Sequence, residues 1–341
     1  MRAYVDSRPK HLAEVPAIVQ RLERLGFDGV TMAEMTVPPI LSCTAAALST
    51  EGLRMATWIL VAFPRSPMVT AYSAWAIQDL AKGRFELGLG TQVKGHMERR
   101  YSVPYSPPVP RMKDYVLALR AIFDCWQNGT RLDYHGTHYT HTLMNPLFTP
   151  WRLAYPRPPI YTSCMNTGMA RLAGEVCDGV FFGDPVTNKW VREQLVPSFQ
   201  DGARKSGRDP KTLDISNGSF VGVGSTPEEV KKAKEAIRAR ISFYGSTPTY
   251  RPVFEYHGWG DITPRLHAMS REGKWSEMPA LITDEMVNNF AVIGRYEELP
   301  HLIKERFGSY AKRVHLGNSN WTFGETDERM KQLVEEIHTI A

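Results

Sequence analysis

A chain of 341 residues with 43% hydrophobic and 23% charged side chains has the make-up of a folded protein with a sizeable core, and no apolar run approaches the roughly 18 residues needed to cross a bilayer. That absence argues against a membrane role, and the net charge of +5 comes from basic residues mixed with acidic ones along the whole length, which argues against a nucleic-acid partner. Cys43, Cys125, Cys164 and Cys177 lack C-x-x-C spacing and predict neither a metal site nor a disulfide framework, and the opening MRAYVDSRPK has no secretory apolar stretch, so a cytoplasmic location is expected.

Short β-rich runs alternate with helical periodicity from the start. Residues 2–6 predict a first strand. Leu12, Val15, Ile18, Val19, Leu22 and Leu25 then recur at steps of three and four, the spacing of a helix with one apolar face, and Gly26 stops it. Residues 28–34 predict strand two, followed by a small-residue helix from Pro38 to Leu48. Residues 54–63 predict strand three, 67–82 a helix ended by Gly83, and 84–89 strand four. Beyond these, 111–126 predict an amphipathic helix, 160–164 a strand, 167–176 a helix, 179–182 a strand and 188–205 a helix. Residues 213–223 contain strand seven, and Thr226, Pro227, Glu228 and Glu229 start a capped helix that runs to Phe243. Residues 313–316 are a short strand and 328–340 a last helix.

Strand–helix units repeated over this length favour an α/β fold of the closed (β/α)8 TIM-barrel type, one domain spanning 1–341, over an open doubly wound sheet. Two stretches break the rhythm and predict loop insertions that shape a pocket or pack outside the barrel. One spans 128–158, rich in Tyr, His and Pro; the other spans 245–279, with Tyr250, Tyr256, His257, Trp259 and Trp275 among Gly and Pro.

Chemistry concentrates in two segments. In AKGRFELGLGTQVKGHMERR, residues 81–100, a strand ends in Gly88 and Gly90 and runs into a polar, basic turn with Gln92, Lys94, His96, Arg99 and Arg100. Glycines at a strand end let a flat ring approach the backbone, and barrel enzymes place their sites at the C-terminal strand ends. In PPIYTSCMNTGMARLAGEVCDGVFFGDP, residues 158–185, the turn from Met165 to Gly168 presents backbone N–H groups at a helix N-terminus, a ready phosphate site. Glu175 and Asp178 in this segment read as braces for the helix and turn rather than as reacting groups.

GFDGVTMAE at 26–34, AFPRSPMVTAYSAWAIQDLAKGRFELGLGTQVKGHMERRY at 62–101, PPVPRMKDYVLALRAIFDCW at 107–126 and PPIYTSCMNTGMARLAGEVCDGVFFG at 158–183 together resemble the luciferase-like monooxygenase superfamily, in its branch that uses the deazaflavin coenzyme F-420. The resemblance covers nearly the whole chain. It implies a barrel with the cofactor ring across the strand ends, a phosphate at the turn 162–168, and a non-prolyl cis peptide behind the ring near Leu60, Val61 and Ala62. Dimers are frequent in the resembled family, so a homodimer is expected by analogy. Glu34–Met35 stands where the resembled sugar-phosphate dehydrogenases carry Asp-His, and Val93 where they carry an acid, which argues against that activity.

The candidate site residues are therefore Glu34 and His96 for catalysis, and Val61, Ala62, Gly90, Gln92, Lys94, Arg99, Arg100, Cys164, Met165, Asn166, Thr167 and Gly168 for the cofactor. A strand-end carboxylate in a half-dry pocket can act as acid or base, although an ion-paired carboxylate at the mouth is the equal alternative for Glu34. An imidazole can donate to a ring oxygen that gains charge, and Lys94, Arg99 and Arg100 can hold an anionic tail. The expected activity is hydride transfer between F-420 and a small-molecule substrate. The alternatives are an FMN-dependent monooxygenase and a non-catalytic cofactor-binding barrel.

Overall fold

The computed structural model describes residues 1–318 and 326–340. Within it parallel strands close into an eight-stranded barrel: β1 (Arg2–Ser7), β2 (Gly29–Met32), β3 (Arg54–Thr57), β4 (Phe85–Gly90), β5 (Ile160–Cys164), β6 (Gly179–Phe182), β7 (Asp214–Gly218) and β8 (Arg313–Asn318). Each strand pairs with the next, and β8 closes on β1 with Arg313 opposite Arg2. Helices cover the outside, among them Val15–Arg24, Pro39–Ser49, Pro67–Leu80, Pro108–Asn128, Thr167–Val176, Val196–Lys205 and Asp327–His338. Outward residues such as Val30, Met55, Leu87 and Val180 pack with Val19, Leu22, Ala46, Ala74, Trp75, Leu119 and Ala173 of that shell in one core. Burial on both faces of a parallel sheet explains why the strands read as apolar runs rather than alternations.

The barrel interior is filled by a few large side chains set against glycines. A Cβ on Gly29 would lie 2.3 Å from Cε1 of Tyr4, and one on Gly179 would lie 2.2 Å from Cε1 of Tyr161. At Gly88 a Cβ would meet the Thr57 carbonyl oxygen at 2.1 Å and the Phe181 ring at 2.6 Å. At the N-terminal end of the strands Arg313, fully buried, donates to Glu86, to Asp214 and, at 2.7 Å, to the Tyr161 hydroxyl. Arg54 and Arg2 add bonds of 2.8 Å to Glu86 and Asp214. Burial alone would raise the Glu86 carboxyl, but Arg313 and Arg54 outweigh it and hold it below its ordinary value. Above this ionic plug Tyr161, Phe181 and Trp58 stack face to face, with ring centroids 4.8 and 4.2 Å apart, and the His315 ring lies 4.0 Å from Trp58.

The structure corrects several sequence expectations. Strand three does not run unbroken: β3 ends at Thr57, a cis peptide joins Trp58 to Ile59, and pairing with β4 resumes at Leu60–Val61. The non-prolyl cis bond expected near Leu60, Val61 and Ala62 is thus present, just ahead of them. Strand seven is two strands, because β7 leaves the barrel after Gly218 and Phe220–Gly224 pairs in parallel with Ala291–Arg295 instead. The helix expected over 188–205 has a wide turn at Val191–Leu195 ahead of Val196–Lys205. The insertion at 245–279 is not a loop: Arg251–Glu255 and Ile262–Arg271 are helices whose Val253, Phe254 and Leu266 are buried. The stretch 128–158 is irregular apart from a short hairpin, Tyr134–His135 with Thr140–His141, tied to Asp114 through the Tyr134 hydroxyl and the amides of His138 and Tyr139. The capping box at Thr226 and Glu229 forms as read. Residues 319–325, between strand eight and the last helix, lie outside the described residues.

Candidate active site

The mouth of the barrel, at the C-terminal strand ends, gathers two clusters of charged residues. The first surrounds Glu34. Arg65 forks onto it, Nη2 to Oε1 at 2.8 Å and Nη1 to Oε2 at 3.1 Å, while the Val61 amide donates to Oε2 at 2.6 Å. Both carboxylate oxygens are engaged, and the same Arg65 donates to the Val61 carbonyl at 2.9 Å. The ion-paired arrangement is thus the one adopted, and it fixes the backbone on which Val61 and Ala62 sit. Beside it the Tyr101 hydroxyl is buried without a hydrogen-bond partner among the described residues, and burial together with the Glu34 charge raises its pKa.

The segment after Gly90 is not a turn as expected but a short helix, Lys94–Arg99, entered through Gln92 in left-handed conformation with φ 58°. Met97 is the residue that anchors it, buried in the core, while Lys94, His96, Arg99 and Arg100 are exposed on the rim. Lys94 faces the Tyr105 ring and Arg100 the Tyr101 ring, at 5.9 and 5.0 Å. No hydrogen bond to the His96 imidazole is found among the described residues. Gly88 and Gly90 answer to internal packing: beyond Thr57 and Phe181 at Gly88, a Cβ on Gly90 would lie 2.5 Å from Cδ1 of Ile59.

Across the mouth, Asn166 caps the helix Thr167–Val176 by accepting from the Met169 amide at 3.0 Å. The amides of Thr167 and Gly168 have no acceptor among the described residues, and a Cβ on Gly168 would have its nearest neighbour at 3.6 Å, so an anion can approach this helix end. The Met165 carbonyl accepts from Trp190 Nε1 at 3.1 Å, which fixes the turn. Cys164 is fully buried, its thiol held well above its ordinary pKa by burial, so it belongs to the packing behind the turn.

The second cluster was not foreseen from sequence. Asp6, next to last in β1, accepts from Arg8 Nε at 2.7 Å; Asp184, just after β6, accepts from Arg240 at 3.1 Å and lies 4.0 Å from Arg8. Asp6 Oδ1 is buried with no hydrogen-bond partner among the described residues. Burial, with the Asp184 charge adding to it against the pull of Arg8, pushes the Asp6 carboxyl up to about 6. A Cβ on Gly218, at the end of β7, would lie 3.1 Å from Asp184 Oδ1 and 3.4 Å from Trp58 Cζ2, so the indole and this cluster meet over one glycine. The period-two reading of β1 already places Asp6 on the same face as Tyr4, one step nearer the mouth, which was the signal available for it.

The arrangement matches known proteins over most of its length. Residues 2–313 match the family model described as luciferase-like monooxygenase. The chain belongs to the luciferase-like monooxygenase family. An uncharacterized Mycobacterium tuberculosis protein is 41% identical over 308 residues, covering 90% of this chain and 91% of that one. The 5,10-methylenetetrahydromethanopterin reductase of Methanolobus tindarius is 24% identical over 315 residues, covering 89% and 88%. The fold is shared with the coenzyme F-420-dependent tetrahydromethanopterin reductase of Methanopyrus kandleri, at a TM-score of 0.79, 16% identity and coverage of 99% and 98%. An F-420-dependent secondary alcohol dehydrogenase, solved with an F-420–acetone adduct, superimposes at 0.74 with 19% identity and covers 98% of each chain. Among the described residues no helix is long and apolar enough to cross a membrane.

Proposed function

We propose that this family member is an F-420-dependent oxidoreductase that transfers a hydride between the deazaflavin and a small organic substrate. The observation that carries the reading is the grouping, on one barrel face, of an aromatic floor, a helix end with unengaged amides and a rim of exposed cations. That grouping suits a flat redox ring with an anionic tail. The relatives whose names specify F-420 support the deazaflavin over other rings. The residues present fit the cofactor, since the helix end at Thr167 and Gly168 leaves room for an anion and Lys94, Arg99 and Arg100 are exposed on the rim. Bound there, the deazaflavin would supply a carbon centre that gives or takes two electrons with one hydrogen.

In this reading Val61, Ala62, Gly90 and Gln92 back the ring, and Met165, Asn166, Thr167 and Gly168 hold a phosphate with Cys164 packed behind them. Lys94, Arg99 and Arg100 attract the tail, and His96 reaches the ring edge or the substrate. Glu34 stays in the catalytic set as the carboxylate that, with Arg65, fixes the strand ends beside the ring. A cytoplasmic location belongs to the same reading.

A second reading, an FMN-dependent monooxygenase, is favoured by the family description itself and by monooxygenases of the same fold. Oxygen uptake separates the two. The protein mixed in air with reduced FMN is expected to consume no more oxygen than free reduced FMN does; protein-dependent uptake with formation of an oxygenated product would carry the second reading instead. A barrel that binds F-420 and turns nothing over would carry the non-catalytic alternative.

A homodimer also belongs to this proposal. Leu48, Val69, Leu143, Leu147, Phe148 and Trp151 are exposed on adjacent helices Pro39–Ser49 and Pro67–Leu80 and on the segment beside them. The Tyr72 hydroxyl donates to the Phe148 carbonyl at 2.7 Å and Trp75 Nε1 to the Trp151 carbonyl at 2.8 Å, which joins the segment to the helix as one surface.

A further inference from the structure

The helical turns that follow β6, the end of the helix Asp284–Phe290 and the helix Leu299–Phe307 enclose a cavity of about 220 Å³. Its walls carry three cations, Lys189, Arg192 and Arg306, against one carboxylate, Glu193, which is engaged by the Tyr256 hydroxyl. The cations have no carboxylate partner among the described residues. Lys189 and Arg192 are exposed, the ammonium 5.5 Å from the Tyr256 ring centroid. Arg306 is half-buried and donates only to backbone carbonyls, those of Asn288 at 3.0 Å, Ala291 at 3.1 Å and Asn289. Carbonyls at a helix end carry partial charge rather than a full counter-charge, and burial lowers this guanidinium to about 10, with the Tyr310 hydroxyl alone pulling the other way. The charges of Arg306 and Arg192 both act on Tyr310, so two guanidiniums converge on one side chain. The Tyr310 hydroxyl donates to Asn188 Oδ1 at 3.0 Å, which leaves the Asn188 amide nitrogen as a donor, and the exposed Asn288 adds another at the rim.

A small cavity with a surplus of two positive charges and N–H donors in its walls is the complement of a dianion. A phosphate group carries about −1.5 to −2 near neutrality, whereas a carboxylate or a chloride leaves one charge unanswered. We propose that this cavity binds a phosphate dianion, taken as the free ion or as the phosphate group of a small monoester, with Arg192 and Lys189 as its direct partners and Arg306 adding charge from the wall. The inference stands apart from the deazaflavin reading and does not depend on it. Trp190, between Lys189 and Arg192, donates Nε1 to the Met165 carbonyl at 3.1 Å and so joins this wall to the turn at Met165. Binding is therefore read at Arg192 itself rather than as total phosphate bound.

Cofactor-free wild-type protein is treated with phenylglyoxal, which modifies accessible arginines, and each modified arginine is quantified by peptide mass spectrometry. Inorganic phosphate or glycerol 3-phosphate is titrated in at an ionic strength held constant with sodium chloride. Modification of Arg192 is expected to slow at least fivefold at saturation, with half-effect at about 1 mM or below, while the exposed Arg152 and Arg265 react as before. Lys189→Ala and Asn288→Asp change exposed side chains, so each should keep the wild-type melting temperature and raise the half-effect concentration by about tenfold or more. Protection by both probes, or by the free ion alone, supports the site and tells which form it takes. A half-effect above about 20 mM, equal protection by chloride, or values unchanged in both variants overturns it. Protection of Arg192 by F-420 at micromolar concentration, absent with a tail-free deazaflavin, would give the cavity to the cofactor tail and likewise overturn a separate phosphate site.

Discussion

Glu34, His96 and Asp6 show how far single residues were legible. Their places at strand ends followed from the alternation of strands and helices, but their partners did not, because Arg65 reaches Glu34 from 31 residues away and Asp184 comes to Asp6 from five strands further round the barrel. With both oxygens of Glu34 engaged, Glu34→Gln is expected to lower stability by about 1 to 3 kcal/mol, seen as a smaller urea midpoint at unchanged slope. An unchanged midpoint with a collapsed transfer rate would instead make it a direct acid or base. His96, on the rim, should behave in the opposite way. His96→Ala is expected to slow hydride transfer by roughly 100- to 1000-fold, the worth of a donor aimed at developing charge, with little change in cofactor affinity or melting temperature. Asp6 adds a pH signature to stability. Its folded value of about 6 exceeds the ordinary 3.8, so the native state keeps a proton that the unfolded chain releases. This contribution is present in full below about pH 4 and is lost as pH rises through about 6, and the wild-type minus Asp6→Asn stability difference should fall across that window.

At the scale of elements, the strands and their following helices were legible because burial on both faces makes them apolar runs closed by glycine and proline. The rim helix Lys94–Arg99 was not, since its exposed face is charged and Met97 alone is buried, which leaves no periodic apolar signal in six residues. The helices Arg251–Glu255 and Ile262–Arg271 were hidden in the same way by their shortness and by the Gly, Pro and aromatic residues around them. The Gly-Leu-Gly run was read as room for a ring, whereas the space beside Gly88 is taken by Thr57 and Phe181. Gly88→Ala is therefore expected to destabilise the barrel by about 1 to 3 kcal/mol or more, because its new methyl group would meet a backbone oxygen that cannot swing aside; calorimetry would show it, and a melting temperature within error of wild type would contradict the packing account. For the rim helix, replacing Arg99 and Arg100 together by alanine should weaken binding of tail-bearing F-420 by roughly 3- to 30-fold, less at high salt, while a tail-free deazaflavin binds as before. Equal losses for both ligands would assign the arginines to folding.

For the whole molecule, the closed barrel was readable in the sequence, since it depends on local alternation and on the handed βα unit. The outer apolar surface was not, because Leu147 and Phe148 become a surface feature once the segment around them is bonded to the helix Pro67–Leu80. If that face joins two copies, sedimentation should give a dimer in the wild type and a shift to monomer in Leu147→Asp/Phe148→Asp with the circular dichroism spectrum unchanged. A wild-type monomer at micromolar concentration would place the face in some other role. The central claim, that the mouth is built for a deazaflavin with an anionic tail, is tested most directly by a fluorescence competition titration of F-420 against FMN on the purified wild-type protein. F-420 should bind at least about tenfold more tightly, a difference of about 1.4 kcal/mol, and tighter binding of FMN, or FMN bound at full occupancy on purification, would contradict the account.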